Sequence, residues 1–414
     1  MKSSFVTCSV FFILFLNQAL GLTCYVSVFG SDETGECTEA NPVQSFGKAF
    51  SYGGISPLEI YVFPGVYGGP SNSAISYQGS LRIVWFQNQT TSGSNLVQFN
   101  CSYANAGDTP CISSNTSISI SGFDNSRNAQ IIFQKCFTCI SVENAADPSQ
   151  DYFLEVEGVT FTSMSHTAIY AYRIYTVSIQ QCTFTENVVV GALDSLVVLV
   201  DINTDVWIQY SNFTALHRNG LSIVNATSTR ILDCSFDNAN LAITGVEESY
   251  VLIHSTVISS SSVAIASYIA ALSMGTITIS GLQLNVAGIG GLKILNANST
   301  SIMGSSFSTA VASNGGALYF ENVPNIEVVG SLFYANTATL YGGAIYLVNS
   351  EIMLYSTNFT SNAASDGAAI GCKKSDVYYD SSTVFNKNVD TGLHATDIQT
   401  TCKVQTLTHP KTVW

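Results

Sequence analysis

From about residue 150 to residue 395 the chain consists of short runs in which apolar and polar residues alternate. Each run passes into small polar residues and then a phenylalanine. VSIQQCTFTEN ends at Asn187, VWIQYSNFTAL at Leu216, RILDCSFDNAN at Asn240, IEVVGSLFYAN at Asn336 and IMLYSTNFTSN at Asn362. The anchors are Phe161, Phe184, Phe213, Phe236, Phe307, Phe333 and Phe359, with Val257 and Leu282 in the two places after Phe236. Phe385, or its neighbour Val384, is the last. Their spacings run 23, 29, 23, 21, 25, 25, 26, 26 and 26. A second element follows most anchors: GAL at Gly191, NGLSI at Asn219, GGALYF at Gly315, GGAIYL at Gly342 and GAAIG at Gly367. Less regular versions start at Val263 and Gly290.

Alternation of period two predicts strands, and the Gly, Asn and Ser between them predict corners. Two or three short strands per 20–30 residues indicate a solenoid, because one period cannot bury its own apolar side. In a parallel coil each strand pairs with its copy one turn on, at roughly 4.8 Å, so like residues lie over like. The expected fold is therefore all-β: a right-handed parallel β-helix of about ten coils. Helical periodicity is confined to Ser45–Tyr52, where a short capping helix is expected.

The N-terminus reads differently. Lys2, an apolar run from Phe5 to Leu16, and Ala19-Leu20-Gly21 form a secretory signal peptide over residues 1–21. Residues 22–150 read as the cap and first coils, 151–395 as the regular repeats and 396–414 as a C-terminal tail without a capping element, to be covered by a partner or continued in a longer chain. No later run of about 20 apolar residues predicts a membrane span. Only 10% of residues are charged and the net charge is -14, which argues against nucleic acid as a partner. Hydrophobic residues make up 46%, enough for a large core. Glycosylation triplets begin at Asn88, Asn100, Asn115, Asn212, Asn225, Asn298 and Asn358, as expected of a secreted or cell-surface glycoprotein.

Of 11 cysteines, Cys8 leaves with the signal peptide, and the remaining ten fit an oxidising compartment. Cys24 is expected to pair with Cys37, and Cys101 with Cys111. Cys136 and Cys139 form a CxxC, read as a local disulfide or two separate thiols. A zinc site would need a second ligand pair at suitable spacing, which the sequence does not offer. Cys182 and Cys234 hold equivalent places two coils apart, roughly 9–10 Å, beyond the reach of a disulfide. They should not be bonded to each other.

Phe-x-x-Asn recurs at Phe184–Asn187, Phe333–Asn336, Phe359–Asn362 and Phe385–Asn388, alternating with Gly-Gly-Ala-[Ile/Leu] at Gly315–Leu318 and Gly342–Ile345. This pairing resembles the repeats of the polymorphic outer-membrane protein family, most closely over residues 300–390. CYVSVFGSDETGEC, NPVQSFGKAF and IYVFPGVYGG resemble the opening of pectin-lyase-like β-helices. The first resemblance implies a surface adhesin, although the bacterial relatives' C-terminal membrane barrel is missing. The second admits a polysaccharide lyase or glycoside hydrolase as the alternative.

Hydrolysis needs a carboxylate pair and lyase chemistry needs a base with a cation. Asn203-Thr204-Asp205 stands alone, without an Asp-Asp pair, His-Gly or Arg-Ile-Lys. Asp201, Asp205, Asp233 and Asp237, with His217 and Arg218, form the one region that gathers acids and bases, and a solvated polar face is its simpler reading. No cofactor or metal is implied. Tyr319, Phe320, Tyr334, Tyr341, Tyr346 and Tyr355 lie in the repeats, and those facing outward suit stacking on sugar rings. The expectation is a secreted, non-catalytic binding or adhesion protein contacting extracellular glycans or cell-surface proteins.

Overall fold

The computed structural model describes residues 21–86, 96–102, 109–123, 130–144, 150–186, 195–215, 219–259, 263–267, 274–289, 291–392 and 396–407. The expected signal peptide lies outside the described residues apart from Gly21.

The chain is an all-β parallel solenoid in which each coil visits three faces in fixed order. In one regular coil, Ile326–Val329 lies on face one, Leu332–Tyr334 on face two and Ile345–Val348 on face three. Glu351–Tyr355 then returns to face one, paired in parallel with Ile326–Val329. Faces one and three join in a 24-stranded sheet; face two belongs to a 16-stranded sheet. Ser195–Gln209, Asn219–Leu232 and Asn240–His254 each run from face three into face one, and their pairing shifts register where they bend. No helix among the described residues is long and apolar enough to cross a membrane.

The corners explain the scattered Gly, Asn, Ser and Asp. Most are turned by a residue in the left-handed backbone region, where glycine is free of strain and Asn and Asp are tolerated better than most. Tyr210, Asp233, Ser255 and Gly304 turn face one into face two, with φ of 51°, 51°, 46° and 52°. Thr309, Ala335, Ser361 and Lys387 bend the chain after the face-two anchors into a second segment of the same sheet, Thr337–Tyr341 in the regular coil, which leads to face three. Arg173, Asp201, Asn225, Asn296, Asn322 and Asn349 turn face three into face one.

Inside, the anchors stack ring on ring. Tyr67 pairs with Phe99, then Phe133, Phe161, Phe184, Phe213 and Phe236, each one strand further along. Phe184 and Phe213 have centroids 4.7 Å apart and planes 8° from parallel; Phe213 and Phe236 are 4.6 Å and 3°. Strand spacing imposes this separation, and each ring is removed from water, worth about 1.5–3 kcal/mol. The column continues through Ile258 and Leu284 to Phe307, Phe333, Phe359 and Phe385.

Two anchor assignments need correction. Val257 faces outward at 39% exposure and Ile258 is buried; Leu284, not Leu282, pairs with Phe307. Val257 and Ile258 are both apolar, and a slip of one residue in a strand exchanges the two faces; Leu282 and Leu284 lie two residues apart and are both buried, Leu282 just before the strand that starts at Gln283. At the last coil Phe385 fills the column and Val384 is 49% exposed. The ladder also extends three anchors beyond the expected start, to Tyr67, where the repeat lacks its phenylalanine-and-asparagine signature.

The motif asparagines satisfy backbone groups at the bend after the face-two anchors. Asn336 donates from Nδ2 to the Phe307 carbonyl at 3.0 Å and to Asn362 Oδ1 at 3.0 Å. Asn362 does the same to the Phe333 carbonyl and to Asn388 Oδ1. Each Oδ1 also accepts the backbone N–H of the preceding coil's asparagine, at 3.0 Å and 2.9 Å. A hydroxyl column does similar service at the other end of the face-two strands, where Ser331 and Thr383 accept from the Ser305 and Thr357 N–H groups.

The helix Phe46–Gly53, capped by Ser45 accepting from the Lys48 N–H at 3.1 Å, covers the start of the stack. Phe46 packs on Tyr67 and Phe99 at 5.6 and 5.0 Å. At the other end, Lys403–Thr406 pairs with Asp376–Tyr379, so the segment read as a tail contributes one further strand to face one.

Replacing Phe213 by Ala should cost about 3–5 kcal/mol, and Asn362→Ala about 1–3 kcal/mol, because the latter leaves buried N–H and C=O groups unpaired. Denaturant titration of each variant measures both. An Asn362→Ala cost no larger than that of the exposed Asn358→Ala would refute the structural role of the asparagine ladder.

Candidate functional site

Where the chain turns from face three into face one, successive coils place Arg173, Asp201 and Asn225 in one column, all with positive φ. Asp201 accepts from Asn225 Nδ2 at 2.5 Å and lies 3.8 Å from Arg173 Nε. The Arg173 guanidinium also covers the ring of Tyr172, 4.8 Å from its centroid.

Past the bend, the same strand presents Asp205, Trp207 and Gln209 on the outside of face one, alternating with buried Val206 and Ile208. One coil on, Ser228 stands over Asp205 and Arg230 over Trp207. Arg230 lies 3.7 Å from Asp205 and 5.4 Å from the Trp207 ring centroid. The indole N–H donates to Gln209 Oε1 at 3.2 Å. One coil back, the in-register neighbour of Trp207 is Ser178, too small to cover an indole. The result is an indole held by a hydrogen bond and a cation, with a carboxylate and amides around it.

The other expected residues are dispersed. Asp233 is an exposed corner residue whose N–H donates to the His254 carbonyl at 3.0 Å. Asp237 is exposed on face two, beside Asn238. His217 and Arg218 lie outside the described residues. Asp201 and Asp205 therefore share one strand, while Asp233 and Asp237 belong to the following turn and the other sheet. Four residues of a strand–corner–strand path are enough to change face, which spacing alone does not reveal.

Trp207, Arg230, Tyr172 and Arg173 were not singled out from the sequence. Aligning WIQYSNF with RILDCSF on their phenylalanines places Trp207 directly beneath Arg230, and that signal was available. Among the flagged aromatics, Phe320 is fully buried, while Tyr334 and Tyr341 are exposed at 49% and 37%. Tyr319 lies 5.8 Å from Tyr346 and carries Lys293 Nζ at 5.1 Å. Burial first, and then Glu321, which accepts its hydroxyl at 3.0 Å, hold the Tyr319 phenol up at about 12.

The structure carries disulfides Cys24–Cys37, Cys101–Cys111 and Cys136–Cys139, and a fourth, Cys372–Cys402, that spacing did not suggest. Cys182 and Cys234 are buried free thiols. They stand in the hydroxyl column, with Ser211 between them, and their Sγ atoms donate to the Gln180 and Leu232 carbonyls at 3.3 and 3.2 Å. Burial pushes both thiols up from 9.0 to about 12.

No protein-family model matches the chain, and no curated protein matches it. Among solved structures, the chain is similar to a crystal structure of pectate lyase Pel9A, at 10% identity and a TM-score of 0.26. The match covers 91% of this chain and 82% of that one.

Because the folded-state pKa of Cys182 and Cys234 is raised, their contribution to stability is complete below pH 9.0. It is lost as pH climbs toward about 12. Native protein at pH 9 should leave both thiols unalkylated while denatured protein reacts at both. A Cys182→Ser, Cys234→Ser variant should lose less stability between pH 9 and 11 than the parent. Rapid native alkylation at either position would contradict this burial.

Proposed function

We propose that this chain is an extracellular, non-catalytic binding or adhesion protein that holds glycans on face one, with Trp207 as the stacking platform. The observation that carries the reading is the geometry of Trp207. Its indole is fixed by Gln209, backed by Arg230, and faces small Ser178 on the other side. Sugar rings present C–H faces to aromatic rings and hydroxyls to nearby carboxylates, amides and guanidinium groups. Asp205, Gln209 and Arg230 supply the latter. The acids beside it support binding over catalysis: Asp201 and Asp205 are each engaged with an arginine from an adjacent coil.

Glycosylation fits this division of labour. Asn212 and Asn358 open Asn-Phe-Thr triplets on face-two strands, where period two turns Asn and Thr outward together and Phe inward. Thr360 already donates to Asn358 Oδ1 at 2.8 Å. Asn100 ends another face-two strand. Glycans at these positions would cover face two and leave face one open. Asn225 is committed to Asp201, Asn115 is half-buried, Asn298 is exposed on the face-one strand Ala297–Met303 four coils beyond Trp207, and Asn88 lies outside the described residues.

A glycan array probed with the purified mature chain should give discrete ligands. Trp207→Ala should weaken them about tenfold or more, about 1.4 kcal/mol, with an unchanged melting temperature. Asn212→Gln with Asn358→Gln should remove two glycans by peptide mass spectrometry and leave binding intact. Release of unsaturated sugars from acidic polysaccharides, dependent on added calcium, would overturn the non-catalytic reading. Unaltered binding by Trp207→Ala would overturn the site.

A further inference from the structure

The expectation that no second ligand pair accompanies the CxxC does not hold in space. Cys101 follows the face-two strand Val97–Asn100, and Cys111 lies in the face-three strand Pro110–Ser114. One coil on, Cys136 follows Ile131–Gln134, and Cys139 lies in Thr138–Glu143. Strand pairing stacks the two sets. Thr138 pairs with Pro110 and Ile140 with Ile112, so Cys139 stands over Cys111; Asn100 pairs with Gln134, which brings Cys101 beneath the turn to Cys136. The Sγ atoms of Cys101, Cys111 and Cys136 all lie within 4.8 Å of one another, and Cys139 Sγ is bonded to the last of these. All four residues are fully buried.

We infer that Cys101, Cys111, Cys136 and Cys139 form a latent tetrathiolate site for a soft divalent cation, zinc above all, which alternates with the two disulfides according to redox state. Zn–S bonds of about 2.3 Å place tetrahedral sulfurs about 3.8 Å apart, so the sulfurs of the two stacked pairs, three of them already within 4.8 Å of one another, need only the S–S bonds to open for all four to reach that spacing. Ligands drawn from two adjacent coils also let the ion clamp one coil to the next. The conversion balances as follows. Each disulfide takes two electrons and two protons from a dithiol reductant, which leaves as its own disulfide, and yields two thiols. The cation then binds four thiolates and displaces four protons, so oxidised protein binds none. On the neighbouring coil the strand register sets Ala168 over Cys139, and Met164 follows the strand paired with Ile131–Gln134; both are fully buried.

The test uses the full mature chain, reduced with a dithiol and loaded with zinc or cadmium under anaerobic conditions. Desalted protein should retain about one ion per chain, four-coordinate, and the cadmium form should show a sulfur-to-metal ultraviolet band. Alkylation mapped by peptide mass spectrometry should find Cys101, Cys111, Cys136 and Cys139 protected by metal at least tenfold relative to Cys24 and Cys37. The Cys136→Ser, Cys139→Ser variant should lose both metal and protection at Cys101 and Cys111, whereas Cys182→Ser should keep them. Equal alkylation of all reduced cysteines in the presence of metal, or equal retention by the double variant, overturns the site. The peptide readout remains decisive even where reduction loosens the outer coils.

Discussion

Everything in this molecule hangs on the fixed separation between parallel strands. Because each coil repeats the one before it at that distance, a side chain's main neighbours are its own counterparts above and below. Flat rings are served well by this spacing, and the phenylalanine column has near-parallel planes with centroids close to 5 Å. Primary amides are served equally well: an asparagine can give one N–H to the next coil's amide oxygen and the other to a backbone carbonyl of the coil before it. Charges are served poorly when alike and well when alternating, which is why Arg173 and Arg230 each lie beside an aspartate contributed by a neighbouring coil.

The solenoid and its strand periodicity were readable from the anchors because regular repetition averages over local noise. What failed is instructive. Between Phe236 and Phe307 the anchor is aliphatic: Val257-Ile258 offers two choices of face and Leu282-Gln283-Leu284 two buried leucines, and only the tertiary register decides. Toward the N-terminus the coils lengthen and the anchors become Tyr67, Phe99 and Phe133 without motif asparagines, so the repeat was underestimated there. Cys182 and Cys234 were correctly kept apart because their argument used only the number of coils between them. Cys372 and Cys402 were missed because the second of them sits in a segment that carries no repeat signature.

The candidate site shows the same division. The acids could be found by composition, but their grouping could not, since corners redirect neighbouring residues to different faces. Asp233 is itself a corner residue. The more informative partners, Trp207 and Arg230, are far apart in sequence and adjacent in the stack, so they become visible only once register is treated as a distance. The cysteine cluster follows the same rule: pairs that look like separate local staples come together because two coils are superimposed. In a repetitive fold, chemistry is assembled across the periods, while each period alone shows only packing.

The helix that seats Phe46 against Tyr67 and Phe99 comes before nearly all the strands it covers. It therefore offers a finished apolar floor while the remainder of the chain is still being made. Each arriving coil finds an exposed parallel edge and a ring already in place, and can settle without waiting for distant sequence. Growth of the structure thus acquires a direction, from floor to far end, matched to the order of synthesis. An error in an early coil would be inherited by every layer laid above it.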